Sequence, residues 1–238
     1  MDNDGGVDRR FGILISGKRR SGKDFVASYL TKKLEEKLGD GSVAQLRIAE
    51  SLKRRFAEIH GADAERLMGT SSYKDQYRAK MIEWSENERR TSGDLTQFCR
   101  AACETASEVD KNSKIWIVCD CRRQFELEYF LLEQNEGRLK GKLSAGVFTI
   151  RVTASEGVRN QRGWNFIKGI FFIIFFFIFI FTDFPSPTPF QGADDIDSEC
   201  GLDHWTKWDA IIENNGVDEQ NMFEKLDKIV DFIMQQIS

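Results

Sequence analysis

Gly17-Lys18-Arg19-Arg20-Ser21-Gly22-Lys23-Asp24 follows the apolar run Phe11-Gly12-Ile13-Leu14-Ile15 and precedes Phe25 to Lys37, where apolar residues recur at helical intervals. Strand, loop, helix is the reading, and it decides the fold. Glycine at each end of the loop lets backbone N–H groups turn toward phosphate oxygens, the helix N-terminus adds its positive dipole end, and Lys23 reaches the β and γ phosphates of a nucleotide. Asp24 stands where such loops usually place a Ser or Thr hydroxyl on Mg²⁺, a charged oxygen ligand for the same hard cation. The bland alternative, a chance glycine-basic turn, does not account for the flanking elements.

A second apolar run, Ile115-Trp116-Ile117-Val118-Cys119, ends in Asp120. Phosphate-loop enzymes use such a strand-tip carboxylate to hold Mg²⁺ or its water. A core strand with a solvated acid at its tip would look the same in isolation, so the two segments carry weight together. Val43 to Ile48, Val147 to Val152 and Trp208 to Ile212 read as further strands. Ser51 to Ile59, with Ser51 as cap, residues 74 to 109, Arg123 to Glu133 and Met222 to Ile237 read as helical; in the last, Leu226, Ile229, Val230, Ile233 and Ile237 form one apolar face. This alternation predicts an α/β fold: a parallel sheet of about five strands with helices on both faces. Ligands bind such sheets at the carboxyl ends of the strands, where the loop, Asp120, Arg122 and Arg123 emerge.

At 238 residues the chain can bury a full core and most simply forms a single domain spanning 1–238, or one domain with a mobile lid. A net charge of −4 argues against wholesale nucleic-acid binding and leaves room for a local basic pocket. Cys99, Cys103, Cys119, Cys121 and Cys200 lack zinc spacing, and a reducing compartment is expected. The polar, acidic first ten residues lack secretory or transit character, so a cytosolic location is expected.

The chain resembles the animal-type phosphomevalonate kinase family almost end to end. The resemblance is carried by Ser16 to Phe25 with its unusual aspartate, Thr70-Ser71-Ser72-Tyr73-Lys74, Cys119-Asp120-Cys121-Arg122-Arg123, Gln161-Arg162-Gly163-Trp164, Asp197-Ser198-Glu199-Cys200-Gly201-Leu202-Asp203 and Ile212-Glu213-Asn214. It implies a nucleoside-monophosphate-kinase-like P-loop fold that moves the γ-phosphate of ATP, with Mg²⁺, onto (R)-5-phosphomevalonate. The matched positions imply Lys23, Lys18, Arg19, Asp24 and Arg122 as catalytic. They imply nucleotide binding by Gly17, Lys18, Arg19, Arg20, Ser21, Gly22, Lys23, Asp24, Arg159, Arg162 and Asn214. Arg19, Lys74, Arg78, Arg89, Arg100, Arg122, Arg123 and Arg151 would bind the acceptor, and Asp24 and Asp120 would hold Mg²⁺ directly or through water. Arginine's planar fork suits the acceptor's phosphate and carboxylate. Arg159 and Arg162 fall where such kinases keep a lid. A monomer is expected, with no nucleic-acid partner. The alternatives are a kinase of the same fold acting on a nucleoside monophosphate, whose pocket would have to recognise a base, and a membrane-associated, non-catalytic nucleotide binder.

The second alternative comes from Ile170 to Phe181, twelve consecutive Phe and Ile residues, followed by a tail holding all three prolines, Pro185, Pro187 and Pro189. A membrane-spanning helix needs roughly 17 to 25 apolar residues, so the run is too short to cross unaided. In the family, Arg162-Gly163-Trp164 lies close to the Asp194-Asp195 pair; excising residues 170–192 joins Gly169 to Ala193 and restores that spacing. The run therefore reads as a translated intron, since a thymine-rich pyrimidine tract encodes Phe and Ile. A tryptic peptide crossing Gly169 to Ala193 without the insert is the expected product, and abundant protein containing Phe175-Phe176-Phe177 would overturn this. Residues 133–146, longer than the family usually has, read as a surface-loop insertion.

Overall fold

The computed structural model describes residues 10–69, 72–136, 143, 145–163 and 197–237. The 170–192 run and its flanks, Trp164 to Ile196, lie outside them, as do Thr70 and Ser71. Among the described residues five strands form one sheet: β1 Phe11–Ser16, β2 Val43–Leu46, β3 Ile115–Cys121, β4 Gly146–Thr153 and β5 Ala210–Glu213, in the order β2-β3-β1-β4-β5. Every pairing is parallel. The helices are α1 Lys23–Leu38, α2 Ile48–His60, α3 Ala64–Met68, α4 Ser72–Ser92, α5 Gln97–Val109, α6 Gln124–Glu136, α7 Glu156–Gln161, α8 Asp197–Cys200 and α9 Glu219–Ile237.

The central strands are unbroken apolar runs because both faces of the sheet are covered. Successive side chains alternate between faces. Ile13, Ile15, Ile115, Ile117 and Cys119 go to one core with Val26, Leu30 and Leu34 of α1 and Leu226, Val230 and Ile233 of α9. Leu14, Trp116 and Val118 go to the other with Phe98 and Cys103 of α5 and Leu127 and Phe130 of α6. Each fully buried Ile or Leu contributes about 1.5–3 kcal/mol, which makes this pair of cores the main source of stability. A third, smaller cluster of Phe56, Ala57, Leu67 and Met81 joins α2, α3 and α4 beside the sheet.

The expected alternation and strand number hold, and several boundaries move. Residues 74 to 109 divide into α4 and α5 around Gly93 to Thr96. The second strand stops at Leu46 and α2 begins at Ile48, three residues before the expected Ser51 cap. The start of α2 has no side-chain cap of its own; instead Asp120 accepts the N–H groups of Ile48 and Ala49 at 2.8 and 2.9 Å. A carboxylate from across the sheet does the capping, so local sequence misplaced the start. The last strand begins at Ala210 rather than Trp208. Of the expected loop 133–146, residues 133–136 finish α6, Leu143 is buried against Gly12, and Gly146 opens β4; residues 137–142 and 144 lie outside the described set. Among the described residues, no helix is long and apolar enough to cross a membrane.

Candidate active site

Five strand ends converge on one rim of the sheet. β1 delivers Gly17 to Gly22, β2 delivers Arg47 and α2, β3 delivers Arg122 and Arg123, β4 delivers α7 with Arg159 and Arg162, and β5 delivers Asn214. In a parallel sheet all carboxyl ends point the same way, so residues scattered over two hundred positions become neighbours.

The loop itself is tight. Ser21 N–H donates to the Lys18 carbonyl at 3.1 Å, and Val26 N–H to the Gly22 carbonyl at 3.1 Å. Gly17 lies so close that a Cβ there would meet the Ser21 hydroxyl at 2.5 Å and the Val152 carbonyl at 2.7 Å. No side chain caps the N-terminus of α1, which leaves its first N–H groups for an anion. Asn214, buried, donates from Nδ2 to the Ser21 carbonyl at 3.1 Å. Arg162 donates to the Arg20 and Ser21 carbonyls at 3.3 and 3.2 Å and to the carbonyl and Oδ1 of Asn214 at 3.0 and 2.9 Å. Arg159 donates from Nε to the Arg19 carbonyl at 3.0 Å. The three nucleotide-side residues expected from the sequence therefore brace the loop from outside.

Lys23, the first residue of α1, is buried. Burial lowers the pKa of its ammonium and the charge of Arg122 lowers it further, while the carboxylates of Asp24, Asp120 and Glu199 act the other way. Asp24 is exposed and forms an ion pair with Arg47 at 3.5 Å. Asp24 and Asp120 thus flank Lys23 with two hard oxygen donors. Among the described residues no group of three or more His, Cys, Asp or Glu side chains gathers for a metal. Two carboxylates fit Mg²⁺ that takes its remaining ligands from phosphate oxygens and water.

Beside the loop runs a chain of ion pairs. Glu199 is buried; its Oε2 accepts Arg19 N–H at 3.3 Å, and its Oε1 pairs with Arg122 and lies 3.9 Å from Arg78. Glu126, also buried, accepts the N–H groups of Arg122 and Arg123 at 2.9 and 3.2 Å and pairs with Arg123 and Arg89. Glu86 bridges Arg89 and Arg123. Arg89 lies beneath this layer, and burial, then the charge of Arg123, lowers its pKa. A cleft of about 1150 Å³ opens beside it, lined by Phe56, Tyr77, Trp84, Glu86 and Arg89. Asp203 binds Lys18 at 2.6 Å and Arg151 at 2.7 Å, and Arg151 also donates to Ser16 Oγ at 2.9 Å.

Two basic residues lie differently from what their motif positions suggest. Arg100 is not brought into this network: it pairs with Asp94, is exposed, and feels Tyr129 and Glu104 rather than the loop. It sits on α5, whose other face is buried in the core. Lys53, which the motif reading missed, faces the site from α2. Burial, then the charges of Lys74 and Arg47, push its pKa down to about 8 against the pull of Asp120 and Glu50. Nothing local in Ser51-Leu52-Lys53-Arg54-Arg55 separates it from its neighbours; its position depends on how Asp120 seats α2.

A free lysine holds its proton to about pH 10.4. Lys53 in the free enzyme should lose it as pH rises through about 8. Any activity on an anion that relies on the Lys53 charge should therefore fall above about pH 8, and Lys53→Met should lower the plateau several-fold and remove that limb. Between the two pKa values the unfolded chain binds more protons, so stability should rise with pH in that window. An unaltered alkaline limb in Lys53→Met would exclude Lys53 as its source.

The sequence profile of the phosphomevalonate kinase family matches residues 15–136. The curated "Phosphomevalonate kinase" of Drosophila melanogaster is 32% identical over 225 residues, covering 94% of this chain and 97% of that protein. Among solved structures, a chain titled "Crystal structure of APE1195" covers 98% of this chain and 99% of its own at 10% identity and a TM-score of 0.44, too loose a likeness to argue from. On the profile match and the end-to-end identity, the chain belongs to the phosphomevalonate kinase family.

Proposed function

We propose that the protein transfers the γ-phosphoryl group of ATP to the phosphate of (R)-5-phosphomevalonate, releasing ADP and the 5-diphosphate, in the mevalonate route to isoprenoids and sterols. The observation that carries this reading is the buried Lys23 at a phosphate loop beside the guanidinium groups of Arg78 and Arg122, gathered on one carboxylate that also accepts the Arg19 backbone N–H. One anion on the loop and a second on the arginines would bring donor and acceptor together.

The acceptor oxygen belongs to a phosphate monoester already ionised near neutral pH, so no strong general base is required. That oxygen forms the new P–O bond as the bond to the ADP oxygen breaks. Lys23 and Lys18 hold the migrating oxygens, Arg122 spans both anions, and Lys53, Lys74, Arg89, Arg123 and Arg151 orient the acceptor. Catalysis is positional and electrostatic. Asp24 and Asp120 would hold Mg²⁺, which neutralises charge on the β and γ phosphates. Arg159 and Arg162, now on loop carbonyls, would turn onto phosphate when the lid closes. We place the enzyme in the cytosol as a monomer, without nucleic-acid or membrane partners; its five cysteines, without zinc spacing, suit a reducing compartment. The 170–192 run adjoins the lid arginines in sequence, and we propose that the working enzyme lacks it.

A coupled ADP assay with both substrates varied tests the reading. Phosphomevalonate should be accepted and nucleoside monophosphates ignored. Arg122→Ala should raise KM for phosphomevalonate about 10²-fold while KM for ATP moves several-fold at most, and Arg19→Ala should follow the same pattern. Preference for a nucleoside monophosphate, or the reverse KM pattern, would overturn it.

A further inference from the structure

Glu199 comes from a segment that follows β4 and α7 in the chain, yet its carboxylate lies among groups from three other places: the phosphate loop, α4 and the end of β3. Its side chain is 4% exposed, whereas those of Arg78 and Arg122 are 24% and 28% exposed. Each guanidinium therefore meets the carboxylate while staying partly exposed. Two cations this close repel one another, and a single buried anion between them removes that cost while leaving a net positive charge for a ligand. The same carboxylate takes the Arg19 N–H and so ties the arginines to the loop that carries the nucleotide.

Asp203 offers the contrast. It is 40% exposed and pairs with Lys18 at 34% exposure, the geometry of a surface contact that solvent or ligand can replace. Glu199 is enclosed instead, and a carboxylate leaving that enclosure would strand the groups it serves. Its charge also counters the push of Arg122 on the Lys23 ammonium.

We infer that Glu199 is a positioning residue for the phosphoryl acceptor: it clamps Arg78 and Arg122 at a fixed spacing and locks them in register with the phosphate loop. The inference rests on the acceptor reading given above. Glu199 acts through the arginines and touches no reacting atom.

The test is steady-state kinetics of the full chain with Glu199→Gln, which keeps shape and removes charge. KM for phosphomevalonate should rise about tenfold with KM for ATP within about twofold of wild type. In an Arg122→Ala background, adding Glu199→Gln should change the acceptor KM by less than about threefold, because the clamp has already lost its main partner. If Glu199→Gln does not fold, Glu199→Asp serves: the charge is kept but drawn back by one methylene, and an intermediate acceptor KM with unchanged ATP KM is expected. A fall in acceptor KM would overturn the inference in favour of a carboxylate that competes with the acceptor. Equal loss for both substrates, no change, or additive effects with Arg122→Ala would also overturn it. A wild-type enzyme inactive on phosphomevalonate would bring down the acceptor reading and this inference with it, while an active wild type beside an unaffected Glu199→Gln would bring down this inference alone.

Discussion

Lys23→Ala should lower kcat by about 10³-fold while leaving the fold intact. Removing one preorganised donor from the place where charge develops costs on the order of 10²–10³ in rate, and a full cation at the migrating phosphoryl group belongs at the upper end. The residue is built for that position. As the first residue of α1, it projects from the helix end that is left uncapped, and burial holds its ammonium beside Arg122 with less water to screen it. Stability should not suffer, since burial and the charge of Arg122 both oppose this ammonium. The check is kcat in the coupled assay beside the thermal midpoint. Near-normal turnover with a normal midpoint would remove Lys23 from the mechanism.

Gly22→Ala should be almost as damaging, for a reason visible only in three dimensions. Gly22 has φ of +93°, where a side chain costs about 1–2 kcal/mol. A Cβ there would also lie 2.0 Å from Asn214 Nδ2, an atom held by its bond to the Ser21 carbonyl. Alanine must therefore expel the Asn214 side chain, breaking its bond to the Ser21 carbonyl and the bond its Oδ1 accepts from Arg162. KM for ATP should rise at least about 30-fold, and the thermal midpoint should fall by about 4–8 °C for a loss near 2 kcal/mol. Gly41→Ala is the control: φ is +74° but nothing lies within 4 Å, so strain acts alone and kinetics should stay unchanged. Equal kinetic losses in the two variants would mean that the contact with Asn214 is irrelevant.

These two residues also mark how far the sequence could be read. Lys23 was legible because a phosphate loop is local: its glycines, its lysine and the strand and helix on either side occupy adjacent positions. β1, β3 and α9 were legible for a similar reason, since burial on two faces writes a solid apolar run and burial on one face writes a 3.6-residue period. Asp120 was legible as a strand-tip acid. Its hold on the first turn of α2 was not, because the two segments lie about seventy residues apart.

Arg100 lies off the ion-pair network and Lys53 beside Asp120 for one cause. A motif position assigns a basic residue to a site without saying which way its helix faces. On α5 that face turns Arg100 to Asp94, and on α2 it turns Lys53 to Lys74 and Asp120. Glu199 shows the same limit more sharply, since a carboxylate in an acidic stretch reads as solvated until the structure encloses it among arginines.

By itself, then, the sequence determined the phosphate loop, the parallel α/β frame around it and the family, because each is written in neighbouring residues or in periodic burial. Only the tertiary structure decided which cations gather at the strand ends, which carboxylates brace them and why Gly22 admits no side chain. Those outcomes depend on distances between the ends of different strands, and no local pattern encodes a distance across a sheet.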